Sequence, residues 1–312
     1  MPLDRTDLDG VFAPLSDPID IPRGDMPGDR LVVGADRLSV AKALLPMLLP
    51  RLDAVRSANP AARAVLSVSG GSGTGKSGIA ALLAYAFRRL DLGAYVLSGD
   101  NYPHRIPPVN DAERVRRFRE RGYKALVTLP DYGPEMDRAV KALWAADADA
   151  DPALRSANPW LGAYQEAGEG ALRAYLGTPE EIDFDELNGI LAAFRAGAPT
   201  LRLKRFGRTE DAIWYDKVDV RDVPVLVVEW THGNSRFLSG VDLPVVLYAT
   251  PEETLADRRA RARDGAVDSP FVARVLAIEQ ESLVAQAHRA AAIVLRSGEV
   301  VAYEDFRRRT GR

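Results

Sequence analysis

Residues 64–78 read Ala-Val-Leu-Ser-Val-Ser-Gly-Gly-Ser-Gly-Thr-Gly-Lys-Ser-Gly. A short β-branched apolar run leads directly into the spacing G-x-x-x-x-G-K-S, carried by Gly70, Gly75, Lys76 and Ser77, with Gly71, Ser72, Gly73 and Thr74 between and Gly78 behind. Glycines at this spacing let the backbone fold round a phosphate, so that successive N–H groups and the N-terminus of the next helix point at it. The lysine reaches the β and γ oxygens and the serine hydroxyl ligates Mg²⁺. The stretch therefore predicts a strand over 64–69, a loop over Gly70–Gly78 that cradles a nucleoside triphosphate, and a helix over 76–90. A rival reading uses the same glycines: Gly73, Gly75 and Gly78 spell G-x-G-x-x-G, and Asp100 lies where a dinucleotide fold places its ribose-binding acid. That reading leaves Lys76 and Ser77 without a purpose and supplies no group for hydride transfer.

Outward from this loop the chain alternates strands and helices. Ala94–Leu97 predicts a second strand ending at Ser98-Gly99-Asp100, and 111–121 an Arg-rich helix. Residues 130–177 predict helices among Pro- and Asp-marked turns, with no strand. Thr178-Pro179-Glu180-Glu181 reads as the start of a helix running to about Arg195. Leu201–Phe206 and Ile213–Val220 predict a hairpin. Val225–Glu229 is a continuous apolar run ending in an acid, as a fully buried parallel strand reads, and Val245–Ala249 repeats the form. Thr250-Pro251-Glu252-Glu253 has the composition of a capping box. A long helix from about Pro270 to Ala290 and a strand over 292–295 follow. Upstream, residues 1–30 are rich in Asp, Pro and Gly and read as an irregular arm, while Leu38–Ser57 has helical spacing but contains Pro46 and Pro50, which predicts a kinked or broken helix. The division expected is an N-terminal arm and helical extension over 1–60, then one α/β domain over 61–312 with a helical insert over about 102–177. Strands separated by helices imply a mostly parallel sheet flanked by helices, with ligands at the carboxyl ends of its strands.

The bulk properties narrow the classes. The chain has 312 residues, 46% of them hydrophobic, enough for one large or two ordinary cores. A formal charge of −3 supplies no global positive field, so nucleic acid is not an expected partner. The absence of cysteine excludes disulfides and thiolate chemistry, and His104, His232 and His288 are the only imidazoles. The acidic N-terminus is unlike a secretion signal and no stretch is long enough to span a bilayer, so a cytoplasmic protein is expected.

Chemistry then falls where this topology places it. Lys76 and Ser77 follow the first strand, Asp100 the second and Glu229 a later one. Asp100 is suited to orient an acceptor hydroxyl and take its proton, while Glu229, with Ser77, would hold Mg²⁺ or one of its waters. As plain structure, Asp100 would be a turn acid and Glu229 a strand-end salt bridge.

At this point the chain resembles the uridine kinase, phosphoribulokinase and pantothenate kinase group of P-loop kinases. The matching pieces are 70–77, Leu-Ser-Gly-Asp-Asn-Tyr (97–102), Pro-Glu-Glu-Ile-Asp-Phe-Asp-Glu-Leu (179–187) with Arg-Ala-Gly-Ala-Pro-Thr (195–200), Val-Leu-Val-Val-Glu (225–229), and an Arg-rich helix ending Arg263-Asp264. The resemblance implies the P-loop kinase fold, ATP and Mg²⁺ as cofactors, Asp100 in the place of the catalytic acid and Glu229 in that of the second acid. It also implies that Arg259 and Arg263 lie on a lid over the nucleotide phosphates. Where uridine kinases usually follow the strand acid with Gly, this chain has Trp230-Thr231-His232-Gly233, and its 102–177 segment is longer. Uridine itself is therefore not the expected acceptor.

Residues near the expected acceptor side are Asp100, Tyr102, His104, Arg105, Arg114, Arg117, Trp160, Tyr164 and His232. The Arg-rich helix suggests an anionic acceptor, or else shows a solvated face. The insert builds an acceptor pocket, or else a packing or homo-oligomer surface. The expectation is phosphoryl transfer from ATP to a hydroxyl of a nucleoside, sugar or hydroxy acid. A nucleotide-driven switch and an RNA-end kinase are the competing readings.

Overall fold

The structure is a computed structural model and describes residues 7–15, 19–22, 24–25, 30–207, 209, 212–261 and 269–311. Its centre is β3 (Ala64–Gly70), all seven residues of which are buried. β3 pairs in parallel with β7 (Val225–Glu229) on one side and β8 (Leu243–Leu247) on the other. β4 (Ala94–Ser98) extends the sheet beyond β7, and β9 (Ala292–Val294) beyond β8. A short antiparallel edge strand, β10 (Val300–Val301), completes the order β10-β9-β8-β3-β7-β4. The mostly parallel sheet flanked by helices is thus as the alternation implies.

Side chains on successive strand residues point to opposite faces, and the sheet uses both. Leu66, Val68, Val225, Val227, Val245 and Leu247 join one core with α3 (Lys76–Arg89) and α2 (Ala35–Ala58). Val65, Leu97, Leu226 and Val228 face the second core, built with α7 (Phe184–Arg195) and Trp230. Beside it β5 (Thr200–Phe206) and β6 (Ile213–Asp219) form the expected hairpin, paired from Thr200 with Asp219 to Phe206 with Ile213.

The insert folds as α4 (Pro107–Leu126), α5 (Pro134–Ala145) and α6 (Leu161–Tyr175), with its own core of Phe118, Leu126, Val140, Leu161, Tyr164 and Leu172. Val275 and Ile278 of α9 (Pro270–Ala285) close that core from the α/β body. Before α9, α8 (Leu255–Arg261) follows the expected capping box. The Thr250 N–H donates to the Glu253 carboxylate at 2.7 Å, and the Glu253 N–H donates to Thr250 Oγ1 at 3.3 Å.

Several expectations are corrected. Within 1–30 the described residues are ordered: α1 (Leu8–Phe12) and β1 (Ile19–Pro22) pack Val11, Phe12, Ile19 and Ile21 into the main core. β1 pairs antiparallel with β2 (Arg30–Val33). Helix α2 is unbroken despite Pro46 and Pro50. Both prolines are exposed, while Leu44, Leu45, Leu48 and Leu52 are fully buried, so the prolines sit on the helix face away from the core. Burial of each such leucine is worth about 1.5–3 kcal/mol, comparable to the ~3 kcal/mol of an interior proline. Thr178 does not start a helix. Its hydroxyl donates back to the Tyr175 carbonyl at 2.7 Å, and the cap of α7 is Asp183, which accepts from the Glu186 N–H at 2.9 Å. β10 and a C-terminal α10 (Tyr303–Thr310), held by buried Phe306, were not read from the sequence. Among the described residues no helix is long and apolar enough to cross a membrane.

Candidate active site

The phosphate loop leaves the carboxyl end of β3 with Gly73 at φ +87° and Gly75 at φ +88°, the left-handed region that glycine enters without strain. Thr74 ties the loop to itself, donating from Oγ1 to the Gly71 carbonyl at 2.9 Å. α3 begins at Lys76, so its first amides and the partly exposed Lys76 and Ser77 face the same opening. α8 packs on the loop from outside: a Cβ on Gly73 would lie 2.8 Å from that of Thr254 and 3.2 Å from Arg258 Cγ. Arg258 is buried and donates to the Pro251 carbonyl, whereas Arg259 is exposed on α8. Arg263 lies outside the described residues.

The sheet register brings the acids to this opening. Val68, Glu229 and Ser98 stand side by side on three adjacent parallel strands. Glu229 therefore ends its strand level with the start of the loop, buried at 2% exposure, and exposed Asp100 follows two residues beyond Ser98 on a 3₁₀ turn whose other residues, Gly99 and Asn101, are buried. That turn is pressed against Trp230, the residue after the strand acid. A Cβ on Gly99 would meet the Trp230 ring at 2.1 Å, so only glycine lets the turn sit there. Among the described residues no group of three or more His, Asp or Glu side chains is arranged to hold a metal ion unaided. Mg²⁺ ordinarily needs only one or two protein oxygens beside the phosphates and waters, and Ser77 with Glu229 or Asp100 fits that demand.

The residues expected on the acceptor side meet a buried polar cluster that sequence reading only half saw. Glu181, 1% exposed, receives Arg114 Nε at 2.7 Å, Asn110 Nδ2 at 2.9 Å and the Gly177 N–H at 2.7 Å. Arg114 also reaches Glu279 of α9 at 3.5 Å. Burial alone would raise the Glu181 carboxyl, but Arg114 and the hydrogen bonds from the Gly177 N–H and Asn110 hold it below the ordinary value. Glu279 is pushed up, by burial first and by the neighbouring Glu181 charge, with Arg114 opposing. His232 is brought to the same place, where burial pushes it down to about 4, Glu181 and Asp100 opposing and Arg114 and Lys76 adding to the fall. It is therefore a neutral ring beside the acid, not a cation. His104 is exposed and pinned by its backbone to the Glu181 carbonyl at 2.9 Å and by its ring to the Pro179 carbonyl at 3.0 Å. Arg105 donates to the Tyr175 hydroxyl at 3.3 Å, and Arg117 stacks over the same ring 4.1 Å from its centroid.

Three candidates are placed elsewhere. Tyr164 is fully buried in the insert, its hydroxyl donating to Asp149 at 2.6 Å and accepting from Trp144 Nε1 at 2.8 Å. Trp160 packs on that same core. Tyr102 is fully buried beneath α7 and the hairpin, and burial raises its phenol. These side chains pack in the insert core and beneath α7. The residues missed were Glu181, Glu279, Asn110 and, at the phosphate loop, Arg37. Glu181 lay inside a segment read as a helix start, and Glu279 in an ordinary helix with no local signal.

No family model matches the chain. Among solved structures, D-glycerate 3-kinase from Cryptococcus neoformans is similar at 13% identity and a TM-score of 0.48, over 86% of this chain and 99% of that one. A Silicibacter sp. TM1040 protein named as a fructose transport system kinase is similar at 17% identity and a TM-score of 0.47, over 79% of this chain and 94% of that one. In sequence, the chain is 39% identical over 238 residues, 76% of its length, to the bifunctional alpha-galactosidase/sucrose kinase AgaSK of Mediterraneibacter gnavus. It spans 20% of that protein, so the resemblance to kinases read from the motifs is met by a relative with a kinase in its name and a second activity beside it.

Proposed function

We propose that the chain transfers the γ-phosphoryl group of ATP to a hydroxyl of a small neutral carbohydrate. The observation that carries the acceptor class is the neutralisation of α4. Arg114 is held between Glu181 and Glu279, Arg116 between Glu113 and Glu120, Arg117 between Glu113 and Glu180, and Arg119 by Asp147 and Asp149. An anion would find these four guanidiniums already paired, with Arg121 exposed to solvent on the same helix, and the Glu181 carboxylate among them would repel it. Carboxylates and a neutral imidazole are instead acceptors and donors suited to sugar hydroxyls. The same pairing argues against an RNA backbone as acceptor. Of the two activities in the AgaSK name, a phosphate loop serves the kinase, and sucrose is the first acceptor to try.

Lys76 would hold the β and γ phosphates and absorb charge as the bond to the leaving oxygen lengthens. Asp100 would orient the attacking hydroxyl and accept its proton, and exposed Arg259 would add charge from α8. Mg²⁺, held by Ser77 with Glu229 acting directly or through water, would supply charge neutralisation across the phosphates when bound. The insert over 102–177 would then serve as the wall that selects the acceptor, with His104 and Arg105 at its start and His232 brought to it by the Glu181 cluster.

The deciding experiment is ADP release over a panel of sucrose, monosaccharides, glycerate, uridine and a short RNA. Sugars should turn over and the charged acceptors should not. Turnover of glycerate or RNA with every sugar inert would overturn the neutral-acceptor reading, and no acceptor-stimulated release at all would overturn the kinase reading.

A further inference from the structure

The phosphate loop meets the N-terminal extension directly. Arg37, in the first turn of α2, lies where a side chain on Gly75 would point: a Cβ built there comes within 2.0 Å of Arg37 Nε and 2.6 Å of Cζ. Two clefts open from this contact, and residues 36 and 37 line both. One, about 530 Å³, lies between residues 31–37 and the loop's Gly73–Gly78. The other, about 330 Å³, is lined by Val40 on α2, by residues 294–298 at and after the end of β9, and by Leu247 and Thr74. The extension is also firmly seated. Asp25 accepts from the Ser98 N–H at 2.7 Å and pairs with buried Arg205 at 3.0 Å, which ties it to β4 and the hairpin.

We infer that the N-terminal extension is one wall of the nucleotide site, with Arg37 a second phosphate-facing cation beside Lys76 and the nucleoside in the cleft between Val40 and residues 294–298. This rests on the proposed binding of ATP by the loop. A guanidinium offers phosphate two parallel N–H donors, which a lysine cannot. Its present partner is Asp36, whose side chain is 68% exposed. An exposed ion pair of this kind contributes little, so exchange of that carboxylate for a phosphate is cheap. The apolar surface of Val40, Leu247, Val294 and Leu295 suits the flat face of a base.

The test is calorimetric titration of the full chain with Mg²⁺ and a non-hydrolysable ATP analogue, and separately with adenosine, without acceptor. Arg37→Ala should weaken the analogue about 10–100-fold, the range of a charge-assisted hydrogen bond, with Arg37→Lys intermediate. Adenosine affinity should change less than threefold, and the acceptor KM at saturating nucleotide should stay at the wild-type value. Should Arg37→Ala fail to fold, Arg37→Gln carries the same comparison. Wild-type affinity for the analogue in a folded variant, or an equal loss for adenosine, would overturn the inference alone. Failure of the wild-type chain to bind the analogue would overturn the underlying reading of the loop.

Discussion

At the scale of single residues the separable roles are those of Lys76, Asp100 and His232. Lys76→Ala should nearly abolish transfer while the protein stays folded, because its charge is needed for both nucleotide and transition state. Unchanged turnover would remove the loop from the chemistry. Asp100→Asn keeps the turn's size but loses the base, so kcat should fall by about 10²–10⁴ with ATP affinity within a few-fold. Survival of kcat would move the base to Glu229. His232 and Asp25 bear on stability against pH with opposite signs. The folded chain holds His232 near 4 against an ordinary 6.5, chiefly by burial, so between those values the unfolded state binds the extra proton and stability rises with pH. Burial raises Asp25 from 3.8 to about 6 despite Arg205 and the Ser98 N–H, so there the folded state binds the extra proton and stability falls with pH. Urea midpoints at pH 4.5 and 7 should therefore differ less for His232→Gln than for wild type, and more for Asp25→Asn. Identical differences in all three proteins would mean that neither group titrates as its surroundings dictate.

At the scale of elements, the sheet was legible in the sequence because a parallel strand buried on both faces leaves little but apolar residues to write it with. Ala64–Gly70 and Val225–Glu229 say so directly. The capping box at Thr250–Glu253 was equally legible, since both halves of its chemistry are local. The same residue types at Thr178–Glu181 misled. Thr178 found a nearer partner in the Tyr175 carbonyl, and Glu181 was taken by Arg114 from 67 positions away. Pro46 and Pro50 misled for a related reason, because a buried leucine face outweighs a local penalty when the prolines face water. The packing of Gly99 on Trp230 yields a further expectation. Gly99→Ala forces a methyl into the indole, at a cost of about 1–3 kcal/mol, and displaces the turn that carries Asp100. Acceptor turnover should drop well before nucleotide affinity, and a variant with wild-type kcat would show the turn to be adaptable. Within the insert, Tyr164→Phe strips a hydrogen bond from buried Asp149 and should cost about 1–3 kcal/mol of stability. Its acceptor KM should not move. A rise in KM without loss of stability would return Tyr164 to the ligand.

At the scale of the whole molecule, the glycine-rich loop could be read from one stretch of chain, whereas the proposed acceptor side could not. The cluster proposed to face the acceptor is assembled from Asn110 and Arg114 on α4, Glu181 before α7, His232 after β7 and Glu279 on α9, and nothing in the neighbourhood of any one of them announces the others. The paired arginines show the consequence: the Arg-rich helix suggested an anionic ligand until the partners of Arg114, Arg116, Arg117 and Arg119, some one turn away and others as remote as Glu181 and Glu279, were placed. The architecture is divided in the same way. β3 is enclosed by β7 and β8, while α4–α6 fold around a core of their own, and α5 buries only Val140 of its twelve residues. Amides of β3 should thus exchange with deuterium only through global unfolding, and those of α5 through a far less costly local opening. Mass-spectrometric exchange at several urea concentrations should resolve two tiers, the lower one confined to 107–175. A nucleotide could then remain seated through many openings of the wall opposite, and the time an acceptor stays bound would be set by the stability of that wall rather than by the grip of the loop.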